Sequence, residues 1–379
     1  MKTILVFIGG YLPGEKYGGP VTSIWNFTEN LGDIYDIRIV CSNHDFKDPT
    51  PYSNVGDGWN QVGNGHVLYL KDELLCYDSF YKIINEINPS VIYASGIMYF
   101  KVNSELFKAA RKNSIPVLLA PRGDICENAL KIKKWKKAPV LFLCKLFRVF
   151  KGIYFHATMQ EEVDNLIRLL GINEECIFLM PNLPSGPSHR NEYYKKAGRI
   201  RIVFVSRIQE KKNLLEAIRI VNRLTVNVEF DIYGPLENQE YWKRCLEEIS
   251  CSPRNVVVSY KGALSPTKAR SIYNSYDCFL FPTYSENYGH VIAESLLHDC
   301  PIVISKGTTP WDDVNDYCAG AAIDLDDIDG FVDYLEKIAS MNNDEYNCLI
   351  SNINKYVEFK INNESLKKEY IQMLESVCN

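Results

Sequence analysis

The sequence predicts an α/β protein built from two Rossmann-like, doubly wound domains that face each other across a cleft. Three observations support this prediction. The chain has 379 residues, more than one ordinary domain needs. Short apolar runs rich in β-formers alternate with helical patterns in both halves, as in parallel sheets that are covered by helices on both faces. A segment rich in proline and glycine separates the two halves.

The first half contains five apolar runs that we interpret as buried parallel strands. They are Ile4–Ile8, Ile37–Cys41, Val91–Ala94, Val117–Ala120 and Gly152–His156. The helical patterns of this half are Val21–Leu31, Ser79–Asn88 and Asn103–Lys112. In such a fold the carboxyl ends of the strands lie at one edge of the sheet, where ligands bind.

The second half repeats the alternation of strands and helices. Its predicted strands are Ile200–Ser206, Asn227–Tyr233, Val256–Lys261, Cys278–Pro282 and Pro301–Ser305. Its predicted helices are Asn213–Leu224, Tyr241–Ser250, Ser265–Tyr276 and Gly289–His298. Apolar positions between Asn354 and Val377 predict one more helix at the end of the chain.

The boundary between the halves is marked by Pro181, Pro184, Gly186 and Pro187, which cannot continue a helix or a central strand. We therefore predict a first domain over residues 1–182, a linker over 183–199 and a second domain over 200–355. The last helix, residues 356–379, is expected to return to the first domain and to act as a strap that tunes closure of the cleft.

Composition excludes several classes of protein. The net charge of −5 gives no overall attraction to nucleic acid. The twelve cysteines are scattered without CxxC spacing, and the six histidines form no HExxH, so we expect reduced thiols and no metal site. The opening run ends in Gly9-Gly10, which favours a buried strand over a signal peptide, and the apolar stretch 138–150 is shorter than a membrane span. These features predict a cytoplasmic protein.

Two glutamates eight positions apart give the strongest functional signal. Glu286 and Glu294 follow the strand Cys278–Pro282, and Gly289 between them begins a helix. Two helical turns cover about 11 Å, which is the scale of a nucleotide sugar measured from hexose to ribose. Backbone N–H groups near Gly289 would face the diphosphate, because a helix amino terminus favours negative charge. By itself, the same spacing also fits an ordinary helix with an acidic first turn.

Two cations follow the first strand of the same half. Arg207 lies at the carboxyl end of Ile200–Ser206, and Lys212 lies at the start of the next helix, with Asn213 as its expected cap. Two cations beside one crevice suit a pyrophosphate leaving group. Alone they could form a solvated basic turn, but they stand at a strand end in the same half as the glutamate pair.

Together these motifs resemble family 4 glycosyltransferases, which are retaining enzymes with the GT-B fold. The resemblance is carried by Ser206-Arg207, Lys212-Asn213, Tyr260-Lys261-Gly262, Phe281-Pro282 and the segment from Ser285 to Glu294, which holds the E-x7-E hallmark. Further matches are Gly18-Gly19-Pro20, Ala120-Pro121-Arg122-Gly123, Pro181-Asn182 and Thr309-Pro310-Trp311.

The resemblance implies a role for each matched residue. Arg207 and Lys212 would hold the donor phosphates, Glu286 the donor sugar and Glu294 the ribose. Gly18 and Gly19 would let the backbone approach the diphosphate or the acceptor. The remaining donor-binding positions implied by the motif are Lys261, Asn287, Tyr288, Gly289 and His290, the last of which either binds the donor or caps the helix.

One position departs from the family pattern. Many members carry a histidine after the fourth strand, beside the reacting carbon, and here that position is Arg122. A guanidinium cannot accept a proton near neutral pH, so Arg122 is expected to stabilise phosphate charge or to position the sugar. The alternative is a pairing with Asp124 or Glu127 that only holds the loop. His156 begins another strand–helix junction, either in the cleft or as a satisfied structural residue.

The mechanism that the resemblance implies needs neither a protein base nor a metal ion. The acceptor hydroxyl attacks from the face that the phosphate leaves, and a phosphate oxygen takes its proton. Arg207 and Lys212 would replace the metal of other glycosyltransferases. The triplet Asp324-Leu325-Asp326 has the DxD form of the metal-dependent class, but capping of the following helix explains it better.

A basic stretch from Lys131 to Lys151 holds eight Lys or Arg residues and no acid, with aromatic and leucine side chains between them. This composition suits an anionic membrane surface on the inner face of the membrane. It predicts a lipid-linked saccharide acceptor and a role in surface polysaccharide synthesis. The alternative is a lysine-rich surface helix.

Other activities fit the sequence less well. A nucleotide-sugar 2-epimerase shares the two-domain architecture, and a non-catalytic sugar-nucleotide-binding subunit could share the fold. The combined Arg–Lys and E-x7-E pattern argues against both. A nicotinamide dehydrogenase lacks its GxGxxG after the first strand. The donor base, uridine or guanosine, and the donor sugar, hexose or N-acetylhexosamine, stay open.

Overall fold

The chain folds into two compact units. The computed structural model describes residues 1–14, 16–126, 130, 134–184, 193–264, 272–286, 288–361 and 363–378, with backbone only at 134–136, 138 and 363. The first unit is Met1–Leu183 together with Glu364–Asn379, and the second is Pro184–Asn363. Each unit has its own sheet.

The sheet of the first unit has eight strands in the order β3-β4-β2-β1-β5-β6-β7-β8. The strands are β1 (Thr3–Phe7), β2 (Asp36–Ser42), β3 (Trp59–Val62), β4 (Gly65–Leu70), β5 (Val91–Ser95), β6 (Val117–Ala120), β7 (Ile153–Ala157) and β8 (Ile177–Leu179). All neighbours run parallel except β3, which pairs antiparallel with β4.

Helices cover both faces of this sheet. They are α1 (Gly19–Leu31), α2 (Tyr77–Ile87), α3 (Phe100–Lys112), α4 (Lys134–Leu146) and α5 (Gln160–Asn165), which continues as a π-helical turn over Leu166–Leu170. In β1, Ile4 and Val6 belong to the core that includes α1, whereas Leu5 and Phe7 belong to the core that includes α2 and α3. The continuous apolar run therefore follows from burial on both faces.

The second unit is a six-stranded parallel sheet in the order β11-β10-β9-β12-β13-β14. Its strands are β9 (Arg199–Val205), β10 (Asn227–Tyr233), β11 (Val256–Gly262), β12 (Cys278–Phe281), β13 (Ile302–Ser305) and β14 (Gly320–Ile323). Its helices are α6 (Leu214–Asn222), α7 (Gln239–Ser250), α8 (His290–Leu297), α9 (Ile328–Ser340) and α10 (Asn343–Lys360).

The prediction of two Rossmann-like α/β domains is confirmed. All ten predicted strands are present, and each end lies within one residue of its predicted position. The sequence reading missed β3, β4, β8 and β14. The β3–β4 hairpin has a two-residue turn at Gly63-Asn64, where Gly63 has a φ of 58°. The Gly63-Asn64 pair was the signal for this turn.

The C-terminal segment is not one helix. We expected a single helix from Asn354 to Val377, but α10 ends at Lys360 and a last helix, α11, spans Asn363–Cys378. The core of the second unit buries Tyr356, whereas the core of the first unit buries Tyr370 and Leu374. The chain therefore passes from the core of the second unit to the core of the first between Tyr356 and Tyr370. The helix is interrupted at Ile361, because this residue and the asparagines that follow it are weak helix formers.

Much of the predicted linker 183–199 packs against one unit or the other. Leu183 is buried in the core of the first unit. In the second unit, Lys195 is fully buried, donates to the Arg199 carbonyl at 2.7 Å and lies 3.7 Å from the Asp277 carboxylate. Residues 185–192 lie outside the described part. Among the described residues, the helices are all too short or too polar to cross a bilayer.

Candidate active site

The loop that follows β9 holds Arg207. Its guanidinium Nη1 donates to Glu237 Oε1 at 2.9 Å, with both side chains partly exposed. The neighbouring loop after β10 supports this turn, because Ile208 donates its N–H to the Pro235 carbonyl. Gly234 has a φ of 142°, and a Cβ there would lie 1.7 Å from the Ser206 carbonyl oxygen. Only glycine allows this close approach.

Lys212 lies in a 3-10 turn, Glu210–Lys212, just before α6. Its ammonium is buried and pairs with the Glu286 carboxylate. Burial lowers the pKa of Lys212, while the charge of Glu286 opposes that shift. The pair forms because β9 and β12 are adjacent parallel strands, so the loops that follow them meet at the carboxyl edge of the sheet.

Further hydrogen bonds connect these two loops. Tyr284 donates its N–H to the Lys211 carbonyl at 3.0 Å, and Asn213 Nδ2 donates to the Pro282 carbonyl at 2.9 Å. We expected the Asn213 side chain to cap α6, but it makes no cap hydrogen bond. With a φ of 58°, Asn213 instead directs its amide to the neighbouring loop.

The glutamate motif leads into α8. Glu286 donates its N–H to the Thr308 carbonyl at 2.8 Å, and Gly289, with a φ of 76°, immediately precedes the helix. The Trp311 indole donates to the Tyr288 carbonyl at 2.6 Å, and its ring contacts the Tyr288 ring. This turn places the amino terminus of α8 a few residues from Glu286. Asn287 lies outside the described residues.

Glu294 is buried in α8, one helical turn after His290. Its charge adds to burial in raising the pKa of Tyr273 and of Tyr288. The Tyr273 hydroxyl is fully buried without a hydrogen-bond partner among the described residues. Tyr273 was not selected from the sequence, because it carries no motif of its own. It belongs to the predicted helix Ser265–Tyr276, of which residues 265–271 lie outside the described part, and it begins the 3-10 turn Tyr273–Ser275. The ring of His290 stacks edge-on against Tyr288.

Lys261 stands apart from these contacts. It lies on β11, the edge strand, and its ammonium is 3.5 Å from Asp231. The structure thus brings Lys212 and Glu286 into direct contact and places Arg207 near enough for its charge to lower the pKa of Lys212 further.

The triplet at Asp324–Asp326 does not cap α9, because the carboxylate that accepts from the Gly330 N–H belongs to Asp327.

In the first unit, Gly18 and Gly19 begin α1 after β1. Gly18 is the residue before the helix and has a φ of 69°, and Val21 donates its N–H to the Gly18 carbonyl. This conformation favours glycine.

Arg122 follows β6 with a φ of 57°, a strained value for a residue with a side chain. Its guanidinium donates to Asn182 Oδ1 and, at 2.7 Å, to the Tyr93 hydroxyl. Arg122 Nε is buried without a partner among the described residues. The alternative pairing with Asp124 is not observed, because that carboxylate accepts from the Met98 N–H. Glu127 lies outside the described part of the chain.

Behind Arg122 lies a buried histidine. The Tyr93 hydroxyl is 2.7 Å from His156 Nδ1, and His156 Nε2 is 3.0 Å from the Met180 carbonyl. A carbonyl only accepts, so Nε2 carries the proton and Nδ1 accepts from Tyr93. Burial and the nearby Arg122 lower the pKa of His156 to about 3. His156 is therefore the satisfied structural residue of the two alternatives.

The return helix reaches this group. The Tyr370 hydroxyl of α11 donates to the Pro181 carbonyl at 3.0 Å and lies 3.3 Å from His156 Nε2. A buried acid completes the surroundings of the Arg122 loop, since Glu162 accepts from the N–H groups of Gly123 and Thr158. Neither Tyr93, Tyr370 nor Glu162 was selected from the sequence, because each comes from a different element and carries no local motif.

One family of known proteins resembles the second unit in sequence. Residues 187–356, which lie within the second unit, match the model of the family described as "Glycosyl transferases group 1". No curated protein sequence matches the chain.

Solved structures match over nearly the whole chain. HepE from Anabaena, solved with UDP and glucose, is 14% identical with a TM-score of 0.71, covering 99% of this chain and 100% of that chain. Sucrose-phosphate synthase from Thermosynechococcus elongatus is 12% identical, with a TM-score of 0.70 and coverages of 100% and 99%. TarM from S. aureus, solved with UDP, is 12% identical, with a TM-score of 0.71 and coverages of 99% and 100%. These likenesses show the GT-B fold.

Proposed function

We propose that this protein transfers a sugar from a nucleoside diphosphate sugar to a saccharide acceptor, with retention of the anomeric configuration, because residues 187–356 match the group 1 glycosyl transferase model. The observation that carries the proposal is the buried Lys212–Glu286 pair at the carboxyl edge of the second sheet, beside the start of α8. A cation and an anion at this place suit a ligand that has both phosphates and hydroxyl groups.

In this proposal the cations and α8 bind the donor diphosphate. Lys212 and Arg207 neutralise the charge that develops on the leaving phosphate, and the first N–H groups of α8 add hydrogen bonds. Arg207 lies in the exposed loop and exchanges its contact with Glu237 for the phosphate. These groups supply the positive charge, so we expect turnover without a metal ion.

The acidic residues hold the hydroxyl groups of the donor. Glu286 accepts from the sugar hydroxyls while it stays paired with Lys212, and Glu294, one turn into α8, accepts from the ribose hydroxyls. During transfer the bond from the anomeric carbon to the phosphate oxygen breaks on the face where the acceptor oxygen attaches. The acceptor proton passes to that phosphate oxygen. UDP in the structures of HepE and TarM favours a uridine donor over a guanosine donor.

The acceptor is, in this proposal, a lipid-linked saccharide used in surface polysaccharide synthesis. The support is the basic and apolar stretch 131–151, which belongs to the first unit and suits the inner surface of a membrane. Protein and lipid would then meet on the cytoplasmic side.

A panel of UDP- and GDP-sugars tests the proposal by thermal shift. A ligand at 100 times its Kd adds about 2.7 kcal/mol of stability, which shifts the unfolding temperature measurably. The best donor should then yield a glycosylated acceptor in the presence of a chelator. Absence of a shift with every nucleotide sugar would contradict the proposal, and loss of turnover with chelator would contradict metal independence.

The alternative activity, 2-epimerisation, is tested with the same donor. An epimerase converts the donor to its epimer when no acceptor is present, whereas a transferase leaves it unchanged or releases the sugar slowly to water. Nuclear magnetic resonance of the donor distinguishes these outcomes.

A further inference from the structure

Tyr273 differs from the other buried tyrosines around it. The core of the second unit buries five tyrosines. Four of them have a hydroxyl that makes a hydrogen bond with a backbone or carboxylate group, namely Tyr241, Tyr276, Tyr346 and Tyr356. The hydroxyl of Tyr273 is fully buried and has no partner in the part of the chain that the structure describes. A buried hydroxyl without a partner costs stability, so this one needs an explanation.

Packing explains the ring of Tyr273 but not its oxygen. The ring meets the Phe279 ring edge-on, with the centroids 5.8 Å apart, and lies against the His298 ring at 6.2 Å. A phenylalanine would make both ring contacts without burying a polar atom. The same core has phenylalanine at other fully buried positions, such as Phe230 and Phe331. The fold therefore requires an aromatic ring at this place and leaves the hydroxyl without a structural role.

The Tyr273 ring is held against the face of α8 that carries Glu294. His298 Nδ1 lies 2.8 Å from the Glu294 carbonyl, and because a carbonyl only accepts, Nδ1 carries the proton. This bond fixes the ring of His298 to α8, and Tyr273 packs on that ring. Residues four positions apart share one face of a helix, so the Glu294 side chain leaves α8 on the same face, one turn nearer its start.

The Glu294 carboxylate is near enough to act on the Tyr273 hydroxyl. Burial raises the pKa of Tyr273 well above its ordinary value, and the charge of Glu294 raises it further. The hydroxyl therefore keeps its proton and can donate to a carboxylate. An ionised carboxylate has about four lone-pair sites for hydrogen bonds. Two ribose hydroxyls would fill two of these sites and leave room for a further donor.

We infer that the Tyr273 hydroxyl positions Glu294 for the donor nucleotide, by donating a hydrogen bond to the carboxylate while that carboxylate holds the ribose hydroxyls. Tyr273 is fully buried, so it acts through Glu294 and does not line the site itself. A bound ribose covers the carboxylate, and a covered charge is stable only when hydrogen bonds satisfy it. The inference rests on the proposed function, because that proposal assigns the ribose to Glu294.

Tyr273→Phe tests the inference on the full-length chain, with UDP and GDP as the ligands. The variant removes one unpaired buried oxygen and keeps the ring, so its unfolding temperature should equal or exceed that of the unmodified protein. Its affinity for the tighter-binding nucleotide should fall about tenfold or more, which is the effect of losing a hydrogen bond to a charged group. Calorimetry measures the unfolding temperature, and isothermal titration measures the affinity.

The matched control is Tyr346→Phe, which also removes one buried hydroxyl from the core of the second unit. The Tyr346 hydroxyl donates to the Asp277 carbonyl at 2.9 Å, immediately before β12. The length of β12 separates this contact by about 13 Å from the loop that holds Glu286. The control should therefore lower the unfolding temperature and leave the nucleotide affinity unchanged, which is the opposite of the result expected for Tyr273→Phe.

A second background distinguishes the hydrogen bond from a change in packing. Glu294→Gln keeps the shape of the side chain and removes its charge. A hydrogen bond to a neutral amide is about half as strong as one to a carboxylate. In the Glu294→Gln background, Tyr273→Phe should therefore reduce the affinity by about threefold or less.

Three results would overturn the inference. They are an affinity of Tyr273→Phe equal to that of the unmodified protein, a fall in its unfolding temperature as large as that of Tyr346→Phe, and an undiminished loss of affinity in the Glu294→Gln background. If the unmodified protein binds neither UDP nor GDP, the proposed function itself is wrong, and the inference is wrong with it. Failure of the inference and failure of the proposed function are thus distinguished by the unmodified protein.

Discussion

At the scale of single residues, the second unit contains a buried charge pair, Lys212 and Glu286, for which we propose a role in ligand binding. Burial makes a lone ammonium or carboxylate costly, and Lys212 and Glu286 each compensate the other. In many proteins, a variant with apolar residues in place of a buried ion pair is at least as stable as the protein that contains the pair. A pair retained at the carboxyl edge of a parallel sheet is therefore better explained by binding than by stability.

Lys212→Met should separate these two effects. The change leaves Glu286 buried without its cation and should lower the free energy of unfolding by about 3–5 kcal/mol. It should also reduce turnover by about 10²–10³-fold. The double variant Lys212→Met with Glu286→Gln should recover much of the stability but none of the turnover. Urea denaturation and initial rates measure both, and full activity in the stable double variant would contradict the binding role.

A second residue-scale prediction concerns His156. Its pKa of about 3 in the folded state lies below the ordinary value of 6.5, so the unfolded chain binds the extra proton first as pH falls. The contribution of His156 to stability is fully present above about pH 6.5 and is lost progressively toward pH 3. The loss amounts to up to about 5 kcal/mol.

His156→Gln should flatten this pH dependence, because glutamine has no proton to gain. Urea denaturation from pH 7 to pH 4 measures the difference between the two proteins. Asp124 acts in the opposite direction, since burial raises its pKa to about 6 and its contribution is lost as pH rises. Asp124→Asn is the control for the contribution of Asp124 to the pH dependence of stability. Equal pH slopes for the protein and for His156→Gln would show that His156 does not titrate in this way.

At the scale of elements, the turn before α8 is shaped by its neighbours. Gly289 has a φ of 76°, and a Cβ there would lie 2.9 Å from Ile292 Cδ1. Trp311 holds the preceding carbonyl of Tyr288. The direction of the helix amino terminus, and with it the orientation of its N–H groups, depends on this glycine and on this indole.

Gly289→Ala should weaken donor binding by about tenfold or more, because the left-handed conformation costs about 1–2 kcal/mol and the helix start must move. The matched control is Gly198→Ala. Gly198 also has a positive φ, 82°, but its Cβ would meet nothing within 4 Å and it lies at the start of β9. Isothermal titration with the donor should show a loss for Gly289→Ala only. Equal losses would mean that strain alone, and not the site, explains the effect.

At the scale of the molecule, each unit has a separate core, and the end of the chain contributes to both. Helix α10 packs Ile353 and Tyr356 in the second unit, and α11 packs Tyr370 and Leu374 in the first. The two units are joined by 183–193 and again by 361–363. Their stabilities should therefore respond separately to mutation.

Leu374→Ala should lower the stability of the first unit by about 2–5 kcal/mol, the usual cost of such a truncation in a core. Ile353→Ala, a similar truncation eight residues before the break at Ile361, should affect only the second unit. Calorimetry should show one transition displaced in each variant and the other unchanged. Displacement of both transitions by either variant would show that the units unfold as one.

The sequence alone determined the strand–helix alternation and the positions of ten of the fourteen strands in the described residues, because strands buried on both faces are apolar runs. It also placed Arg207, Lys212, Glu286 and Gly289 in the segments that lead from a strand of the second half to the next helix. It did not reveal the β3–β4 hairpin, the break at Ile361, or the group of Tyr93, His156 and Arg122. Those depend on sheet order and on which core a helix enters. Lys212 meets Glu286 because β9 lies next to β12, and Tyr93, Arg122 and His156 meet because β5, β6 and β7 are neighbours in that order. These residues are distant in the chain, and only tertiary packing decides the order of the strands.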